Sequence, residues 1–135
     1  MNRTFVVLGM VSALALAGCQ STKEAEKLAT LGVDFTWSAN NKCSASPPAF
    51  KISGIPEGTK SLVFKMTDLD VPSYNHGGGT VEYSGTGDIP AGSFSYTGPC
   101  PPSGSHDYEF EVKALNAAGD TILGKGKAMH PFPPK

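Results

Sequence analysis

Residues 106–114 read HDYEFEVKA. Tyr108, Phe110, Val112 and Ala114 alternate with Asp107, Glu109, Glu111 and Lys113. This period of two is that of a half-buried strand, because successive side chains on a strand point to opposite faces. With the even positions turned to a core, His106 lies in phase with Tyr108 at the strand's start and points to the buried side. A second run behaves alike: Leu62, Phe64 and Met66 alternate with Val63 and Lys65, and Asp68 and Asp70 continue their phase. Their carboxylates are therefore expected on the inner face at that strand's end. Two strands deliver polar groups inward.

Working outward, turn-forming clusters rich in Pro, Gly and Asn fall at 46–48, 56–58, 76–79, 85–87, 98–104 and 116–120. Such spacing fits short strands roughly 8–12 residues apart. From Val33 onward the period is two, with no repeat, no heptad run and no amphipathic helix after residue 32. Phe35 and Trp37 read as core. His130 reads as solvated beside the tail PFPPK at 131–135, which is not expected to add to a central strand because proline has no amide donor. The expected class is mainly all-β: a β-sandwich with short loops and little helix.

The whole chain has 135 residues, 39% hydrophobic and 17% charged, with 16 Gly, 11 Pro and a formal net charge of -1. That is one domain's worth of chain. So balanced a charge leaves no basic footprint for a phosphate backbone, so nucleic acid is not expected as a partner.

The N-terminus carries an address. Arg3 precedes an apolar run from Phe5 to Leu16, followed by the small residues Ala17 and Gly18 and then Cys19. The run is shorter than the about 20 apolar residues that span a bilayer, and it reads as an export signal. Leu16-Ala17-Gly18-Cys19 resembles the bacterial lipobox, which implies cleavage before Cys19 and a lipid on its thiol; Gln20 resembles outer-membrane sorting. The expected organisation is a signal peptide over 1–18, a lipidated cysteine and flexible tether over 19–32, and a β domain over 33–135. Glu24, Glu26 and Lys27 offer a short helix as the alternative to the tether. With Cys19 lipidated, Cys43 and Cys100 remain, and in an oxidising envelope such a pair is expected as a disulfide. Separate thiols or half of a metal site are the alternatives, although no CxxC spacing is present.

Asp68-Leu69-Asp70-Val71-Pro72, then His76, then the loop GPCPPSG at 98–104 leading through His106 to Tyr108, resemble the phosphatidylethanolamine-binding protein family, which includes the Raf kinase inhibitor proteins and small bacterial relatives. Ser46-Pro47-Pro48-Ala49-Phe50 and the run from Ile55 to Leu62 resemble that family's approach to its first long strand. The resemblance covers about Phe35 to Leu115. It implies a β-sandwich with a small pocket for phosphate, acetate or a phospholipid headgroup, built by position from Asp68, Asp70, His76, Gly98, Pro99, Pro101, His106 and Tyr108. Imidazole N–H groups and a tyrosine hydroxyl are suitable donors for an anionic oxygen, and nearby carboxylates fix an imidazole's tautomer or raise its pKa. The chain departs from the family at Leu69, where proline is usual, and at Gly77-Gly78-Gly79, where tryptophan and a hydrophobic strand are usual. It is also shorter, which implies a more open site.

Other chemistries fit less well. His76-Gly77-Gly78-Gly79 resembles the oxyanion-hole segment of some lipases, but the G-x-S-x-G nucleophile elbow is absent from the sequence. The phosphate-binding G-x-x-x-x-G-K-[ST] pattern is absent too. Asp68, Asp70, His76 and His106 together offer oxygen and nitrogen donors for a divalent cation without a diagnostic spacing, and Asp68 and Asp70 can simply serve turn amides. The sequence is read as a non-catalytic binder of a small anionic or phosphorylated ligand, with no metal or cofactor. It is placed in the bacterial envelope through lipid on Cys19. The alternatives are a metal-binding protein and an interaction module with a vestigial pocket, its protein partner unnamed.

Overall fold

In the computed structural model residues 21–135 are described. Among these described residues the chain forms eight strands and one short 3-10 turn, Ala39–Asn41. The strands are β1 (Lys23–Thr30), β2 (Gly32–Phe35), β3 (Phe50–Ser53), β4 (Ser61–Asp68), β5 (Gly78–Glu82), β6 (Asp88–Ile89), β7 (His106–Leu115) and β8 (Thr121–Phe132). They make a five-stranded sheet in the order β1-β8-β7-β4-β5 and a three-stranded sheet in the order β2-β3-β6. The fold is mainly β, as the period of two requires.

The core lies between the two sheets. β4 and β7 each bury alternate residues, and they pair antiparallel from Ser61↔Leu115 to Asp68↔Tyr108. From the smaller sheet come Phe35, Phe50, Ile52 and Ile89, all buried. Phe110 is fully enclosed, with ring centroids 4.8 Å from Phe50, 5.1 Å from Phe35 and 5.9 Å from Trp37. The contacts with Phe35 and Phe50 are edge-to-face, which suits the quadrupoles of aromatic rings. Phe35 and Trp37 are therefore core, and His130 is exposed on β8 with its ring against Phe35.

Two expectations are corrected. The tether of 19–32 is, from Lys23 onward, strand β1, paired parallel to β8 from Lys23↔Thr121 to Thr30↔Lys125 and tied across the edge by Lys125 and Glu24. The reason is backbone pairing rather than burial: most of β1 is exposed, so it carries no alternating signal. Leu31 then turns inward, buried, and donates its N–H to the Lys125 carbonyl at 2.8 Å. A Cβ on Gly126 would overlap the Leu31 carbonyl, so a glycine at 126 lets the chain cross β8 to reach β2. The second correction concerns the tail, since Pro131 and Phe132 do join β8 opposite Asp107 and His106. β1 covers β8 only as far as Lys125, so beyond that point β8 is an edge, where proline is tolerated. The signal peptide, Cys19 and Gln20 lie outside the described residues.

Candidate functional site

The pocket sits where β4 ends and β7 begins. Register places Asp68 directly opposite Tyr108, and both are buried, at 4% and 1% exposure. At Asp68 the strand stops, because Asp68 Oδ1 accepts from the amides of Asp70 at 2.9 Å and Val71 at 3.1 Å. This is the turn-forming use of aspartate. The other oxygen faces the pocket: His106 Nδ1 lies 2.7 Å from Asp68 Oδ2 and donates to it. Asp68 thus serves the turn with one carboxylate oxygen and His106 with the other.

His76 arrives from the other side. Its Nδ1 lies 2.6 Å from the Thr97 carbonyl and donates to it, and the Thr97 amide donates back to the His76 carbonyl at 2.9 Å. This double link pins a loop residue that sequence periodicity cannot place, and it leaves His76 4% exposed. Its Nε2 is 4.0 Å from Asp68 Oδ2, too long for a hydrogen bond. Tyr108 stands against both imidazoles, with centroids 5.5 Å from His76 and 6.2 Å from His106.

The third wall is the loop 98–102. Gly98 is buried, and a Cβ there would overlap the Ser44 carbonyl. The Cys43–Cys100 disulfide, across 57 residues, holds this loop to the 3-10 turn region, where the Cys43 amide also donates to the Pro99 carbonyl at 2.8 Å. The cavity measures ≈ 360 Å³ and is lined by Asp68, His76, Gly98, Pro101, His106 and Tyr108, together with Val71, Tyr74, Cys100 and Pro102. The last four were not anticipated as lining; Tyr74 and Val71 belong to a turn whose Tyr74 N–H to Val71 carbonyl bond folds them over the mouth.

Two expected residues are not on that wall. Asp70 is exposed, with Oδ2 accepting from the Asp107 amide at 2.7 Å, because the turn around Asp68 breaks the strand phase that would have carried it inward. Pro99 is fully buried behind the loop, flanked by Gly98 and Cys100 that do line the cavity. Donor atoms of Asp68, Asp70 and His106 lie within 4.8 Å of one another. Both oxygens of Asp68 and one of Asp70 are already occupied by intramolecular donors, so a cation there would have to displace hydrogen bonds.

The electrostatics follow from the geometry. Burial pushes the Asp68 carboxyl up, but hydrogen bonds from His106 and from the Val71 and Asp70 amides outweigh it, and its pKa falls below the ordinary value. His106 is raised, first by its hydrogen bond to Asp68 and then, against some burial, by the charges of Asp68 and Asp70. Burial, then the Asp68 charge, pushes Tyr108 up to about 12, so its hydroxyl keeps its proton. The raised His106 contributes stability that is complete below about pH 6.5 and is lost as pH rises through its folded value; the lowered Asp68 contributes stability above about pH 4 that is lost as pH falls through its folded value. Thermal melts across the pH range should show the wild-type advantage over His106→Gln largest between about pH 4 and 6.5 and shrinking above it. A difference independent of pH would refute the His106–Asp68 link.

The sequence comparisons bear on this arrangement. The family model described as phosphatidylethanolamine-binding protein matches residues 20–84. A UPF0098 protein of Methanothermobacter thermautotrophicus is 32% identical over 103 residues, covering 61% of this chain and 68% of its own length. The chain belongs to the phosphatidylethanolamine-binding protein family. A UPF0098 protein of Archaeoglobus fulgidus is 31% identical over 91% of this chain, which spans about half (51%) of that relative's length. The fold agrees with two crystal structures at a TM-score of 0.57. One is YbcL of Escherichia coli, described as a member of the mammalian PEBP family, at 16% identity over 78% of this chain and 98% of that one. The other is a phosphatidylethanolamine-binding protein homologue of Chlamydia trachomatis, at 17% identity over 84% and 98%. Membership in the phosphatidylethanolamine-binding protein family thus accounts for the sandwich.

Proposed function

We propose that this protein is an envelope lipoprotein that binds a small anionic or phosphorylated group, of the phosphate or phospholipid-headgroup type, without turning it over. One observation carries the reading: the buried Asp68 carboxylate accepts His106 Nδ1–H at 2.7 Å. That bond fixes the tautomer, raises the imidazole's proton affinity and leaves Nε2 as the donor for an anionic oxygen once the ring is protonated. The buried Tyr108, which keeps its phenolic proton, is a second candidate donor. The lipobox at Leu16–Cys19 supports the envelope location, with the chain held by lipid and facing the periplasm. No helix among the described residues is long and apolar enough to cross a membrane.

The test is a two-dimensional NMR titration with phosphate, phosphoethanolamine and Zn²⁺. Saturable shifts centred on His106, Tyr108 and Gly98 are expected with both anions. His106→Ala should weaken them at least about tenfold, the loss of one charge-assisted hydrogen bond. Wild-type affinity should itself fall as pH rises through the raised His106 value. The cluster of Asp68, Asp70 and His106 favours a metal as the second reading; tight Zn²⁺ shifts without an anion response would establish it. Silence with all three would leave an interaction module.

A further inference from the structure

Beside the His106 pocket lies a second cavity, of ≈ 320 Å³, that shares Tyr74, Gly98 and Cys100 with it but none of Asp68, His76 or His106. Through Ser44 it adjoins a third, of ≈ 480 Å³. No Asp, Glu, Lys, Arg or His is among the described residues that line either one, although 17% of the chain is charged. Their polar side chains are neutral: the hydroxyls of Tyr74, Tyr96 and Thr97 in the smaller cavity, and Ser38, Asn40 and Ser46 in the larger. Each such hydroxyl or amide both donates and accepts. The surface therefore suits a ligand that carries no charge and does the same. Both volumes fall in the range of small-molecule sites.

Hydrogen bonding on this surface is unfinished at Tyr96. The residue is 7% exposed, and its hydroxyl is the one buried side-chain polar atom without a partner among the described residues. Burial holds the phenol well above its ordinary range, so the proton stays on the oxygen. A buried polar group left unpaired costs folding free energy and calls for a partner. The loops around it are fixed. The Tyr96 amide donates to the Ala45 carbonyl at 3.1 Å, Ser44 Oγ accepts from the Ser46 amide at 3.1 Å, and the Cys43–Cys100 bridge ties together two further residues of the smaller cavity. A wall already ordered loses little freedom on binding. Because Ser44 Oγ is the acceptor in its bond, its own O–H is left to donate outward. Tyr74, 54% exposed, adds an aromatic ring, whose negative face attracts the C–H groups of a sugar ring.

We infer that the two adjoining cavities form a binding surface for a neutral saccharide, with Tyr74 as the stacking platform and the Tyr96 and Ser44 hydroxyls as hydrogen-bonding partners. The inference stands apart from the anion reading of the His106 pocket, whose charged groups it does not use. The test is a two-dimensional NMR titration of the full chain with maltose, cellobiose, chitobiose and glucose. Saturable shifts at Ser44, Tyr74, Tyr96 and Thr97 are expected with at least one disaccharide, at a Kd of about 1 mM or tighter. Glucose, which fills only one of the two cavities, should bind about fivefold more weakly. Tyr96→Phe should weaken disaccharide binding at least about fivefold, while the melting temperature of the free protein stays level or rises, because no intramolecular bond is lost. Asn40→Ala changes an exposed position of the larger cavity and should bring the preference for disaccharide over glucose to within about twofold. Silence with all four sugars would overturn the inference, as would shifts confined to His106 and Asp68. A Tyr96→Phe protein that melts lower yet binds as tightly as wild type would show an internal water serving the hydroxyl, and would overturn the role given to Tyr96.

Discussion

Reduction of the Cys43–Cys100 bridge is expected to lower the unfolding free energy by about 4 kcal/mol, the chain-entropy value for a loop of this length. The two residues are 57 apart in sequence, and the loop they close contains β3, β4, β5 and β6, so the opened chain gains freedom across two strands of each sheet. Function should suffer as well, because Cys100 lines the cavity and the bridge holds the 98–102 wall against the region of Cys43. Denaturant unfolding with and without reductant, repeated on Cys43→Ser/Cys100→Ser, measures the first effect. Phosphate affinity under the same conditions measures the second. A stability loss below about 1 kcal/mol would mean that the contact of Gly98 with Ser44 and the Cys43–Pro99 hydrogen bond hold the loop without the covalent link.

Asp68→Ala is expected to cost about 2–4 kcal/mol and to abolish measurable phosphate binding. The carboxylate accepts from His106 and from two backbone amides at once, and its removal strands those donors beside a buried site. Leaving a donor unsatisfied costs more than the bond was worth. Asp68→Asn separates the two roles. Its amide oxygen can still accept from the Asp70 and Val71 amides, so the turn and most of the stability should survive. Its NH₂ cannot accept from His106 Nδ1, so the imidazole loses its orientation and its raised proton affinity. Denaturant melts and phosphate calorimetry on both variants check this. An Asn variant that binds phosphate as tightly as wild type would sink the role given to Asp68 as the group that sets His106.

Legibility in the sequence followed burial. Alternation in Leu62–Met66 and Tyr108–Ala114 determined the strands, their inner faces and the class of fold, because a side chain's hydropathy records which face is buried. The same parity put Asp68 and His106 on one side, and cysteine count with export context pointed to the disulfide that the structure contains. The resemblance to the phosphatidylethanolamine-binding protein family collected six of the ten residues that line the cavity and added Asp70 and Pro99, which do not line it. Asp70 shows where parity ends, since a carboxylate that folds its own following amides into a turn rotates the next residues out of phase. Only tertiary structure decided the rest. His76 is placed by a loop-to-loop pair of hydrogen bonds with Thr97, and Val71 and Tyr74 reach the mouth through a turn. β1 is a strand because β8 offers it a free backbone edge, although its exposed residues carry no pattern of their own. Backbone hydrogen bonds are common to every residue type, so an element held by them alone leaves little trace in composition, whereas one held by side-chain burial writes its period into the sequence.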